Sequence, residues 1–147
     1  MTDQAPTQTT EDLNPLDSYK ILAKTIEVTN RDESFEFLIP SSLHELKIGA
    51  MVRRIRRDVD PMVGGPGEEY GWDPIVQMHT KAIAIFLVCL QKTSAQWVYT
   101  QDSKGHPYID WQNWPPEHVE RILEIALAFE NGVARFRSGL HKAAESK

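Results

Sequence analysis

Residues 115–140 read PPEHVERILEIALAFENGVARFRSGL, and this stretch decides the fold. Val119, Ile122, Ala126, Phe129, Val133, Phe136 and Leu140 recur at alternating three- and four-residue intervals, which line one face of an α-helix. Pro115, Pro116 and Glu117 open it, placing prolines where a missing N–H is harmless and an acid at the positive helix end. A helix of about 24 residues spans ~36 Å, more than the other helices of the chain are expected to match. Val119, Ile122 and Ala126 are therefore expected in the core. Val133, Phe136 and Leu140 lie beyond Gly132, a residue that costs ~1 kcal/mol in a helix interior. They are expected to outrun the core and to bind a partner.

Working backwards, Gln96–Gln101 and His106–Trp111 flank the turn-forming Asp102-Ser103-Lys104-Gly105 and carry Trp97, Tyr99, Tyr108 and Trp111, which predicts an aromatic hairpin. Asp73-Pro74 supplies an N-cap and a first-turn proline for a helix running to about Thr93. Its segment Ala82–Leu90 is apolar on every side and reads as a central helix. A buried strand is the alternative, because Ile83, Ile85 and Val88 are β-branched. Ser41 or Ser42 caps an earlier helix, with Glu45 placed to complete a capping box from Ser42. That helix is expected to reach about Asp58, with Pro61 and Gly64-Gly65-Pro66-Gly67 ending it in a loop. Ile48, Met51, Val52, Ile55 and Val59 fall on one side of it, and Arg53, Arg54 and Arg57 on the other. Lys24–Asn30 and Ser34–Pro40 alternate apolar positions around the polar Asn30-Arg31-Asp32-Glu33, which gives a first hairpin.

The resulting fold class is α+β, predominantly helical: an N-terminal β-hairpin, about three main helices and an aromatic hairpin before the last of them. One domain is expected over residues 19–141. Residues 1–18, rich in Thr, Gln, Asp and Pro with little to bury, are expected to be a disordered acidic arm, and residues 142–147 a flexible C-terminus.

No motif announces catalysis. The five histidines are scattered singly, there is no HExxH, and the one cysteine, Cys89, sits in an apolar run that suits a buried, inert thiol. The glycine-rich segment at 64–67 lacks the lysine and hydroxyl of a phosphate-binding loop. The reading is therefore non-enzymatic, without metal or cofactor. A net charge of −5 disfavours nucleic acid and anionic membranes as general partners. The longest apolar run, Ala82–Leu90, is half the ~20 residues of a membrane span, and the first twenty residues lack the apolar core of a signal peptide. The basic run Arg53-Arg54-Ile55-Arg56-Arg57 stands out against this acidic background. A solvated face, an acidic protein partner and nucleic acid all remain readings of it.

The order of these segments resembles the tail assembly chaperones of long-tailed bacteriophages. The resemblance is carried by Phe35-Glu36-Phe37-Leu38-Ile39-Pro40, by a helix with Ile48-Gly49-Ala50 and Ile55-Arg56-Arg57-Asp58 before Asp60-Pro61, and by Trp97, Trp111 and Trp114-Pro115 leading into Val133 and Phe136-Arg137. It spans roughly residues 24–140. It implies a small protein of the host cytoplasm, absent from the mature virion. Its partners would be the tape measure protein, held until tail tube protein polymerises around it, and the tube protein itself. Candidate partner-binding residues are Val133, Phe136, Leu140, Arg53, Arg54 and Arg57, and self-association stays open. The alternatives are a structural tail or neck component, or a nucleic-acid-associated regulator using Arg53–Arg57.

Overall fold

A computed structural model describes residues 17–63 and 74–145, with side chains over 17–58 and 74–140. Among these residues the elements run β1 (Tyr19–Ile21), β2 (Thr25–Asn30), β3 (Glu33–Leu38), α1 (Ser42–Val63), α2 (Pro74–Cys89), β4 (Leu90–Thr93), β5 (Tyr99–Gln101), β6 (Pro107–Ile109) and α3 (Val119–Glu145). The fold is α+β and mostly helical, as the sequence pattern requires. The acidic arm up to residue 16 and the glycine-rich segment 64–67 lie outside the described residues, as does the Asp73 cap.

The first hairpin forms where expected, with Ile26 opposite Phe37 and Val28 opposite Phe35. Its connection is tighter than a four-residue turn. Arg31 and Asp32 alone make the corner, both at positive φ (50° and 68°), the two-residue geometry whose twist matches that of paired strands. Arg31 adopts this conformation at a cost, and Asp32 more readily than most residues but less so than glycine. Substituting Asn-Gly for Arg31-Asp32 should therefore stabilise the protein by ~1 kcal/mol, seen as a higher urea midpoint at unchanged slope. An unchanged midpoint would show that the corner is unstrained.

Two strands extend this hairpin into an antiparallel sheet of order β1-β2-β3-β4. β4 corrects the expected course of α2, which ends at Cys89 rather than Thr93. Leu90–Thr93 leaves the helix without a loop because the open edge of β3 has backbone groups to satisfy. Thr93 Oγ1 donates to the Ser34 carbonyl at 2.7 Å, and the Ser34 amide donates to Ser94 Oγ at 2.9 Å. Upstream of Cys89 the helical reading of the apolar run holds, with Ala82, Ile83, Ala84, Ile85, Phe86 and Cys89 all buried.

Alternation divides the sheet. Ile26, Val28, Phe35 and Phe37 are fully buried and meet α2 and α3 on one face. Phe37 stands 5.3 Å from Phe86 and 4.8 Å from Phe129, ring centre to ring centre. Across the other face Lys20, Glu27, Glu36 and Lys92 form a row at matched register, a polar surface suited to water. α1 packs on α2, setting Ile48 and Ile55 into the core.

Helix boundaries differ from expectation in three places. The box at the start of α1 is made by Ser41 and His44, not Glu45: the Ser41 amide donates to His44 Nδ1 at 3.1 Å, and the His44 amide donates to Ser41 Oγ at 3.4 Å. α1 then passes Pro61 to reach Val63, giving up one backbone bond in its final turn. α3 runs through residues expected to be loose, as far as Glu145, after a 3₁₀ turn at Pro116–His118.

Candidate partner-binding surface

The outer side of α1 changes character along its length. Leu43 and Leu46 on its first turns are 58% and 71% exposed, and the exposed Arg53, Arg54 and Arg57 follow. Their position opposite Ile48 and Ile55 is the one the helical wheel requires. No carboxylate among the described residues pairs with Arg53, Arg54 or Arg57. On α2, Ile75 and Met78 are also exposed.

Between the two helices lies a cleft of about 770 Å³, with Ile48, Gly49, Val52, Thr80 and Met78 along it and Arg53, Arg56 and Lys81 at its edges. Sequence reading missed this cleft, because it depends on how α1 and α2 are set against each other. A smaller notch continues from it where α3 joins, lined by Ile85, Phe129, Val133 and Arg137. Two ion pairs brace this junction: Lys81 with Glu130 at 2.7 Å, and Arg137 with Glu45 at 3.3 Å.

The distal seam of α3 divides where the sequence grouped it together. Val133 is 7% exposed and belongs to the core, Phe136 is half-buried, and Leu140 is 57% exposed. Val133 is thus withdrawn as a partner contact. Val119, expected in the core, is 39% exposed, since it begins the helix at the molecule's surface. Gly132 also has a different meaning from the one expected. A Cβ there would come within 3.1 Å of Ile26 and Tyr19, so this glycine lets α3 sit close on β1 and β2 and does not loosen the helix. The seam and the arginines do not converge. α3 meets the start of α1, where Arg137 donates to the Pro40 carbonyl, and Arg53–Arg57 lie further along α1.

A second constellation escaped the sequence pattern. Arg121, almost wholly buried, donates from Nε to Asn30 Oδ1 at 2.9 Å and from Nη2 to the Asn30 carbonyl at 3.1 Å and to Glu33. Its guanidinium lies 5.4 Å from the centre of Trp97, whose indole N–H donates to the same Glu33 carboxylate at 3.1 Å. Asn30 Nδ2 in turn donates to Glu124, and the His118 ring stacks on Trp97 at 4.1 Å. Burial alone works to raise the Glu33 pKa. The hydrogen bonds from Arg121 and Trp97, with the positive charge of Arg121, outweigh it and hold the carboxyl below its ordinary range. The available signal was an arginine one turn ahead of the buried Ile125 and two turns ahead of the buried Ala128. This cluster is a clamp between hairpin and helix.

No protein-family model, curated protein or solved structure matches this chain. Cys89 is fully buried, and burial, aided by the charge of Glu45, pushes its thiol up to about 11, so it is neither ionised nor accessible at neutral pH. No group of three or more His, Cys, Asp or Glu among the described residues is placed to hold a metal ion. No helix described is long and apolar enough to cross a membrane.

The aromatic hairpin forms as β5 and β6, turning at Gly105 with φ +81° while Asp102 Oδ1 accepts from the Lys104 and His106 amides. Its tip is exposed. The tryptophans flanking it carry the packing instead: Trp97 and Trp114 meet edge to face, and Trp114 donates to the Val98 carbonyl at 3.2 Å.

Proposed function

We propose that this protein acts by binding and not by catalysis, as a bacteriophage tail assembly chaperone that holds the tape measure protein until tube subunits assemble around it. The observation that carries the reading is the α1–α2 cleft, with the exposed thioether of Met78 along it and Arg53, which pairs with no carboxylate among the described residues, at its edge. A long helical client presents apolar stripes that aggregate when bare, and a groove between helices covers such a stripe. The sequence resemblance supplies the identity of that client. In this reading Arg53, Arg54 and Arg57 contact the client from α1, while Phe136 and Leu140 extend the apolar surface at the end of α3. The protein works in the host cytoplasm and leaves before the virion matures.

Co-expression with the phage's tape measure protein tests this. The client should shift from the insoluble to the soluble fraction and co-purify, and the chaperone should be present in infected cells yet missing from purified virions. A client that stays insoluble, or a chain found stoichiometrically in virions, would favour a structural tail or neck component.

A further inference from the structure

We infer that the flank of α1 facing away from the cleft docks an amphipathic helix of a partner protein, one that carries two carboxylates two turns apart with large apolar side chains between them, and that Lys47 and Arg54 read those carboxylates. This goes beyond the chaperone reading and does not rest on it, because α1 itself separates the two surfaces.

The α1–α2 cleft is lined from one side of α1, by Ile48, Gly49, Val52 and Arg53. On the other side a second hollow of about 500 Å³ opens between α1, the end of α2 and the end of β3. Its floor is apolar. Leu38, Met51, Leu87 and Val88 are each half-buried there, and the last three pack against the core. A continuation of about 270 Å³ shares Met51, Arg54 and Leu87 with it and reaches Ile109 and Trp111.

The rim comes from one stripe of α1. Leu43, Lys47, Ala50 and Arg54 follow one another at four- and three-residue steps, so they form a row, and all four are exposed. A bare leucine and an alanine beside an apolar floor make a surface that gains by being covered. Ala50, between the two cations, leaves room for a large side chain to enter.

Charge selects what covers it. No carboxylate lines this hollow. Asp58 lines the continuation but forms no ion pair with Arg54, and neither Lys47 nor Arg54 has a hydrogen-bond or ion-pair partner among the described residues. The cleft differs on this point, since Glu45 lines it and its Lys81 is held by Glu130. Two unpaired cations beside an apolar floor, in a chain of net charge −5, attract an apolar surface edged with acids.

The spacing of the cations points to a helix. Lys47 and Arg54 stand two turns apart, ~10.5 Å along the axis of α1. A helix laid alongside repeats that distance at its own positions i and i+7, and its positions i+3 and i+4 fall between them, opposite Ala50. The partner's pattern is therefore Glu at i and i+7 around Leu at i+3 and i+4.

The test uses the full chain and a fluorescein-labelled peptide of about 18 residues, ~27 Å when helical, built on that pattern. One companion peptide has lysine in place of both glutamates, and another has proline at its centre. By fluorescence anisotropy at ~150 mM salt, the glutamate peptide should bind about tenfold tighter or better than either companion. Ala50→Leu should weaken it roughly tenfold by filling the gap, with little change in unfolding temperature because both residues are strong helix formers. Lys47→Glu with Arg54→Glu should reverse the preference between the glutamate and lysine peptides. Gly49→Leu, which fills the cleft instead, should leave binding as it was.

Absence of binding, equal affinity for the lysine peptide, or undiminished binding by Ala50→Leu would overturn the proposal. Equal binding of the proline peptide would overturn the helix by showing that an extended chain docks as well. A loss with Gly49→Leu as large as that with Ala50→Leu would seat the peptide in the cleft. Two results would replace the partner with this chain itself: a dimer that Ala50→Leu splits, or displacement of the probe by a peptide of residues 1–16, which holds acids but no Lys or Arg, at lower concentration than by the unlabelled glutamate peptide.

Discussion

Arg121→Ala should destabilise the protein by about 3–5 kcal/mol, because it removes the cation at the centre of a buried charge-assisted network and takes a donor from Asn30 Oδ1, the Asn30 carbonyl and Glu33 at once. The guanidinium satisfies the Asn30 side chain, the Asn30 carbonyl and the Glu33 carboxylate together, at the point where α3 crosses the corner of the β2–β3 hairpin. Alanine leaves the Asn30 groups facing a space that was filled. Arg121→Lys keeps the charge but loses the fork that reaches two acceptors, and should recover only part of the loss. Urea unfolding decides the matter, and a loss below about 1 kcal/mol for alanine would show that water substitutes for the arginine.

The same network gives a pH dependence of defined sign. Glu33 titrates below its ordinary value of 4.5 in the folded protein, so the unfolded chain takes up its proton first as pH falls. The stabilisation from Glu33 is complete above the unfolded pKa and disappears as pH drops through the lower, folded one. Glu33→Gln should therefore lose stability at neutral pH and show a flatter stability profile on the acid side of that ordinary value.

Patterns with several periods were legible in the sequence, and features shorter than a period were not. α3 and the first hairpin each repeat their apolar spacing often enough to fix element and face, whereas the apolar run of α2 has no single face and left a strand open. β1 has three residues and β4 four, too few to show alternation, and β4 continues an apolar helix with no turn signal between them. What makes β4 a strand is the unpaired edge of β3, which lies far away in sequence. The two glycines make the same point. Gly49 and Gly132 look alike as helix-interior glycines, and only the surroundings show that one is packed against β1 and β2 while the other faces an open cleft. Arg53, Arg54 and Arg57 were placed outward correctly because a helical wheel suffices for that. Val133 was not, because where a long helix leaves its core depends on the size of the sheet beneath it.

That point of departure sets the second large effect. Phe129→Ala should cost about 3–5 kcal/mol, the range for a fully buried aromatic, because its ring packs 4.8 Å from Phe37 beneath the sheet and its loss leaves a cavity there. Two turns later the seam has the same orientation but less cover. Phe136 is half-buried and its truncation should cost ~1–2 kcal/mol, in proportion to the area it hides. Leu140, 57% exposed, should cost no more than ~0.5 kcal/mol. Client binding should run in the opposite order. Leu140→Ala and Phe136→Ala should weaken capture of the tape measure protein, whereas Phe129→Ala, assayed at a temperature where it remains folded, should leave capture nearly intact. Equal stability losses at all three positions would mean that α3 is covered along its whole length. Its distal end would then offer no surface to a partner.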